Sequence, residues 1–245
     1  MMTRLDCMLG AAAEMRMALA QALHHARHRH TFGQRLCDHP LMANVLADLA
    51  LESEAATALA LHVAAAVDRA ARDPRQALLA RVGTALGKYW VCKRAAAFVN
   101  EAQECLGGAG YVEESMLPRL YRQAPLNSIW EGSGNIQCLD VLRALQREPA
   151  ALQALHEELL AGSGLDATFD EAMSRWWNAL PPEPALARVY CERLALLLQG
   201  SILLRAGSPL AATFVRSRLG GEHGLAFGTL PLGIDSAAML ARALP

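Results

Sequence analysis

Apolar residues at Leu5, Met8, Leu9, Ala12, Met15, Leu19, Leu23 and Ala26 recur in steps of three and four. That period builds one buried stripe along a helix and is incompatible with the two-residue alternation of a half-buried strand. The rule continues through Leu41, Val45, Leu49, Ala56, Leu59, Val63 and Val67. It predicts a helix over Thr3–Arg29 and a second over Pro40–Ala71, with Pro40 suited to a first helical turn. Arg72-Asp73-Pro74 breaks the second helix. A third spans Arg75–Leu106 and stops at Gly107-Gly108. A fourth runs over Asn135–Arg147. Alanine, the best helix former, is about one residue in five, and aromatics are only 5%. A sandwich or barrel needs more β-branched and aromatic residues. The expected fold is all-α with no sheet.

After Pro149 the segments shorten to Ala150–Ala161, Asp166–Asn178, Pro184–Gln199, Pro209–Leu219 and Asp235–Leu244. Residues 1–147 therefore read as a four-helix bundle, and 148–245 as a smaller all-α extension. Between Gly107 and Gly134 the periodicity lapses for 28 residues, with a short helical turn expected at Leu117–Arg122. A connection of that length, holding two tyrosines and Trp130, is expected to be ordered and functional.

Lys plus Arg number 23 against 24 for Asp plus Glu, so no bulk positive field collects nucleic acid. The uncharged runs Ala55–Val67 and Leu194–Leu204 fall short of the roughly 20 residues a membrane span needs. Arg4, Asp6, Glu14 and Arg16 interrupt any signal-peptide core. Cys7, Cys37, Cys92, Cys105, Cys138 and Cys191 contain no Cys-x-x-Cys pair and read as reduced thiols of a cytoplasmic chain.

Four candidate sites stand out. His24, His25, His28 and His30 cluster at the end of the first helix, but Arg27 and Arg29 oppose a cation there, and no metal site is expected. His156-Glu157 starts like a zinc-protease box, yet Leu160 occupies the second histidine's place. Gly107-Gly108-Ala109-Gly110 follows a helix rather than a strand, so a helix stop is the simpler reading. Glu131, between Trp130 and Gly132 in the apolar connection, has two readings. Withdrawn from solvent, it would serve as a general base; at a helix N-terminus, it would be a carboxylate satisfied by backbone amides.

Three ordered motifs carry a resemblance. Arg29-His30-Thr31-Phe32-Gly33, Glu104-Cys105-Leu106-Gly107-Gly108-Ala109-Gly110-Tyr111 and Trp130-Glu131-Gly132-Ser133-Gly134-Asn135 resemble the C-terminal domain of the acyl-CoA dehydrogenases. Pro118-Arg119-Leu120-Tyr121-Arg122 and the run from Asn127 to Arg143 look like its adaptive-response, alkylation-protection branch, which carries an extra helical domain.

The resemblance implies FAD-dependent α,β-dehydrogenation of an acyl-CoA thioester, with Glu131 as the base that takes the α-proton. It assigns FAD contacts to Arg29, Phe32, Glu104, Gly107, Gly108, Ile129, Trp130, Ser133 and Asn135, with Arg29 and Phe32 often reaching across a subunit boundary. This chain departs from the family pattern in having Glu104 for Gln, Ser133 for Thr, Asn135 for Gln, and Trp130 for the usual Tyr. Trp130 and Arg143 are expected to narrow the acyl pocket. A dimer or tetramer and an electron acceptor such as an electron-transfer flavoprotein are the implied partners. Family members also carry an N-terminal helical domain and a β-domain over the flavin ring. Neither is represented in this sequence, so the chain alone is expected to be inactive. The different-class alternative is a non-catalytic module for oligomerisation or DNA-associated protection. From Gln146 to Pro245 there are eight Arg, no Lys and ten acidic residues, a net charge of −2 that gives DNA no support.

Overall fold

The computed structural model describes residues 2–177 and 183–244. Three long helices, α1 (Met2–His28), α2 (Pro40–Arg69) and α3 (Pro74–Leu106), pack in an up-down-up arrangement. α1 and α3 run parallel: Arg4 and Arg81 share Asp140 at one level, and further along both helices Cys92 Sγ donates to the Cys7 carbonyl at 3.4 Å. A Cβ at Gly87 would collide with the Met8 side chain, which packs directly on the Gly87 backbone. Asp73 caps α3 by accepting from the Arg75 and Gln76 amides. After α3 the chain forms two short helices, α4 (Gly108–Tyr111) and α5 (Leu117–Gln123), and a 3-10 turn at Leu126–Ser128. The expected irregular crossover is thus short helical turns over about half of its length. α6 (Gly134–Arg147) completes the four-helix bundle antiparallel to α3.

The expectation of no strand needs one correction. His30–Thr31 pairs antiparallel with Gln34–Arg35 in a two-residue ribbon. Phe32 and Gly33 both have positive φ, the geometry of a tight hairpin loop.

The extension comprises α7 (Pro149–Leu160), α8 (Ala167–Trp177), α9 (Ala187–Arg205), α10 (Ala211–Phe214), a π-helical turn at Val215–Leu219, and α11 (Ser236–Ala243). Asn178, the expected end of the second short segment, lies outside the described residues. α9 runs past the expected Gln199 because Ile202 and Leu203 continue its buried face. Bundle and extension share one apolar core. They also share buried charge. Arg218 in the π turn, 8% exposed, donates to Asp48 and Glu52 of α2. Glu52 also accepts from Arg94 of α3 at 3.0 Å. Burial opposes ionisation of Glu52, but Arg94 and Arg218 outweigh it and hold its carboxyl below the usual range.

α2 is, among the described residues, the one helix long and apolar enough to cross a membrane, contrary to the expectation from its uncharged runs. Here its apolar stripe is buried in the bundle.

Candidate functional site

The candidate residues fall into two groups. Near the start of α1 lie Ile129, Trp130, Glu131, Ser133 and Asn135, since Thr3 Oγ1 donates to Glu131 Oε2 at 2.8 Å. Arg29 and Phe32 lie at the other end of α1. With 1.5 Å of rise per residue, Arg29 stands about 39 Å from Thr3. Glu104, Gly107 and Gly108 close α3, toward the Arg29 end of the bundle. One chain therefore does not gather these residues around a single ligand.

The Glu131 turn is tightly built. Glu131 has φ 57°, a left-handed backbone that costs a non-glycine residue about 1–2 kcal/mol. Three side chains from three helices hold its carbonyls. Lys88 Nζ of α3 donates to Trp130 O at 2.7 Å and to Gly132 O at 2.5 Å. Gln137 Nε2 of α6 donates to Glu131 O at 3.1 Å and to Gly132 O at 2.9 Å. Arg4 Nε of α1 donates to Glu131 O at 3.1 Å. Arg4 in turn shares Asp140 with Arg81. Burial opposes ionisation of Asp140, but the hydrogen bonds and charges of Arg81 and Arg4 hold its carboxyl below the usual range.

Glu131 itself is exposed. The expected withdrawal from solvent is absent because the turn lies on the surface, and the amide-satisfied alternative does not describe it either. Its carboxylate edges a cleft of about 250 Å³ lined by Thr3, Asp6, Cys7, Asn127 and Trp130. Burial pushes the Cys7 thiol up, which weakens it as a nucleophile. Trp130 is oriented by a relay: its Nε1 donates to Asn127 Oδ1 at 3.2 Å, and Asn127 Nδ2 donates to Glu14 Oε1 at 3.2 Å. Burial pushes the Glu14 carboxyl up, partly offset by that amide.

Ser133 occupies the N-cap of α6 without making a side-chain capping bond, so its hydroxyl is not used by the helix. Asn135 Oδ1 accepts from Arg188 Nε of α9 at 2.8 Å. Ile129 is 62% exposed beside them. Arg143 lies on the exposed face of α6, about 14 Å further along that helix than Gly134. It does not join Trp130 at the Glu131 cleft.

At the far end, Phe32 is 99% exposed and Arg29 projects to solvent. A Cβ would meet nothing within 4 Å at Gly107 or Gly108. These donors and open glycines suit an anionic dinucleotide: a guanidinium at one end, and a hydroxyl, an amide and a helix N-terminus at the other. Glu104, exposed at the negative end of α3, is the one member whose charge opposes an anion.

Sequence reasoning missed Thr3, Arg4, Lys88, Asn127 and Gln137. Lys88 had a readable signal, because it is the one charged residue between Val82 and Cys92. The others needed the fold.

The fold and these motifs define a helical domain of the flavoprotein dehydrogenase type, and the chain belongs to the acyl-CoA dehydrogenase family. The family model for the acyl-CoA dehydrogenase C-terminal domain matches residues 1–146. AidB of Escherichia coli (strain K12) is 48% identical over 209 residues, 85% of this chain and 38% of AidB. The structure of Caenorhabditis elegans ACDH-11 in complex with C11-CoA matches with a TM-score of 0.76 and 24% identity, over 89% of this chain and 41% of that one. A Bacillus anthracis acyl-CoA dehydrogenase complexed with FAD matches with a TM-score of 0.67 and 17% identity, over 89% and 46%. These two likenesses are of fold. The chain spans less than half the length of each of the three proteins.

Proposed function

We propose that the chain contributes the base and part of the cofactor grip of an FAD-dependent acyl-CoA dehydrogenase. The observation that carries the reading is Glu131: an exposed carboxylate presented from a strained backbone that three helices hold in place. Its oxygens take the α-proton of an acyl-CoA thioester. A bound FAD would supply the acceptor for the hydride of the β-carbon, the chemistry that leaves a Cα–Cβ double bond. Ile129, Trp130, Ser133 and Asn135 of one copy, with Arg29, Phe32, Gly107 and Gly108 of a second, would hold the cofactor. The separation of about 39 Å along α1 supports that division and hence a homo-oligomer, a dimer or tetramer. Trp130, which lines the Glu131 cleft, would border the acyl group. The electron acceptor would be an electron-transfer flavoprotein, in line with a caffeyl-CoA reductase–Etf subunit of Acetobacterium woodii among the relatives. We assign residues 1–147 to the bundle domain and 148–245 to the extension, in a cytoplasmic protein.

The chain alone is expected to bind FAD weakly and to turn over no acyl-CoA, because nothing among the described residues would cover a flavin ring while base and thioester are held together. Visible spectra with added FAD and acyl-CoA, alongside native mass, test this. In a polypeptide that also supplies the upstream domains, Glu131→Gln should cut dehydrogenation by roughly 10²–10⁴-fold while flavin stays bound. Undiminished activity would place the base elsewhere.

A further inference from the structure

We propose that Lys88 is a positioning residue for Glu131, its ammonium fixing the peptide planes that enter and leave the turn from which the base is presented. The proposal rests on the dehydrogenase reading of Glu131.

Lys88 lies in the middle of α3 and is 1% exposed. Its Nζ donates to the carbonyls of Trp130 and Gly132, the residues on either side of Glu131. No carboxylate among the described residues forms an ion pair with it. Burying an amine without an ionic partner costs its hydration, which only its hydrogen bonds can offset. Burial accordingly pushes its pKa down, although Cys92, Cys7 and Glu131 oppose that shift. A methionine of similar length would fill the same space without that cost. What methionine lacks is the capacity to hold two carbonyls that converge from opposite sides of one residue.

The turn needs such a hold. Glu131 at φ 57° and Gly132 at φ 100° form a left-handed corner that a free chain would leave. Gln137 and Arg4 anchor the peptide plane between Glu131 and Gly132. Lys88 anchors the planes before and after it, and so sets where the Glu131 carboxylate meets the Thr3 hydroxyl. A reacting group displaced by about 1 Å loses on the order of 10²-fold in rate, so a brace on the backbone acts on chemistry without touching substrate.

The test compares Lys88→Met and Lys88→Arg in the 245-residue chain. Amide exchange is followed at residues 130–134. The Glu131 carboxylate carbon resonance is assigned by its loss in Glu131→Gln. Lys88→Met should speed exchange in the turn at least tenfold and move the Glu131 resonance toward that of a freely solvated glutamate. Protection of α2 amides should stay within threefold, and Lys88→Arg should restore both signals at least in part. If turn and resonance are unchanged, or if the whole bundle exchanges faster together, Lys88 is a packing residue and the proposal fails. Should Lys88→Met not fold, Lys88→Gln, which keeps an amide donor, is read by the same two signals. In the polypeptide with upstream domains, Lys88→Met should lower kcat at least tenfold with KM within threefold. The exchange and resonance measurements use neither flavin nor thioester. They therefore stand or fall separately from the Glu131→Gln activity result, which alone decides the dehydrogenase reading.

Discussion

Phe32 and Glu131 are the two non-glycine residues, among those described, with positive φ, at 49° and 57°. They sit at opposite ends of α1, and both belong to motifs singled out in the sequence. Their surroundings differ sharply. The Glu131 corner is braced from within by Lys88, Gln137 and Arg4. The Phe32 corner is braced by a two-residue ribbon, and its ring makes one edge contact, with His39 at 6.2 Å between centroids. The first turn is complete inside one chain. The second displays a large apolar side chain from strained backbone, and strain of that kind concentrates where a site is to be made. One corner is held by side chains from three helices, and the other by its own ribbon alone.

That contrast assumes both corners ride on one rigid frame, and acid tests the frame with the largest expected effect. Glu158 of α7 accepts from Arg75 and Arg205, and His62 Nε2 lies 3.2 Å from its Oε2. The His62 contact, against burial and with Arg205 assisting, pulls its carboxyl down to about 2. A depressed carboxyl contributes stability that is fully present above its ordinary pKa near 4.5 and is lost as pH falls toward 2. At about 1.4 kcal/mol per unit, the loss is roughly 3 kcal/mol. Urea midpoints between pH 6 and pH 2 should fall accordingly, and fall less in Glu158→Gln. An equal pH dependence in that variant would remove Glu158 from the account.

Gln137→Leu should come next. It leaves the Glu131 and Gly132 carbonyls short of a donor and should cost about 1–3 kcal/mol. Adding Glu131→Gly should recover part of that, because glycine takes positive φ without penalty. Absence of recovery would show that the corner is not strained. Phe32→Gly should act in the opposite sense, stabilising the chain by roughly 0.5–1 kcal/mol in thermal melts while abolishing FAD-dependent self-association. A destabilised Phe32→Gly chain would mean that the ring has partners within its own protomer. The smallest effect on stability belongs to Arg29→Ala, within about 0.5 kcal/mol for an exposed side chain. Its FAD affinity should nonetheless drop at least tenfold, as titration of flavin fluorescence would reveal.

The long helices were legible because their buried stripes are long and their stops are glycine and proline. α3 ends at Leu106, the expected residue. The ribbon was not legible, since Phe is a poor candidate for a left-handed corner and nothing local announces it. Glu131 stands out by its motif, but its expected burial does not hold: apolar neighbours in sequence are not apolar neighbours in space, and Ile129 and Trp130 are themselves exposed. Contacts such as Lys88 to Trp130 or Arg188 to Asn135 join residues more than forty positions apart and leave no periodic trace. Trp130 and Arg143 looked like pocket mates from their motif, but a helix carries the second away along its axis.

The family match stops at residue 146, yet the charge balance of the bundle does not. Asp48 and Glu52 are buried in α2, and Arg218, far beyond that limit in sequence, supplies positive charge to both. A cut at the end of α6 would look clean in an alignment. It would also strand Asp48 without its guanidinium and leave Glu52 with Arg94 alone. The bundle would have to recover electroneutrality by taking up protons or by opening. The portable unit, by this criterion, is the bundle together with its π turn.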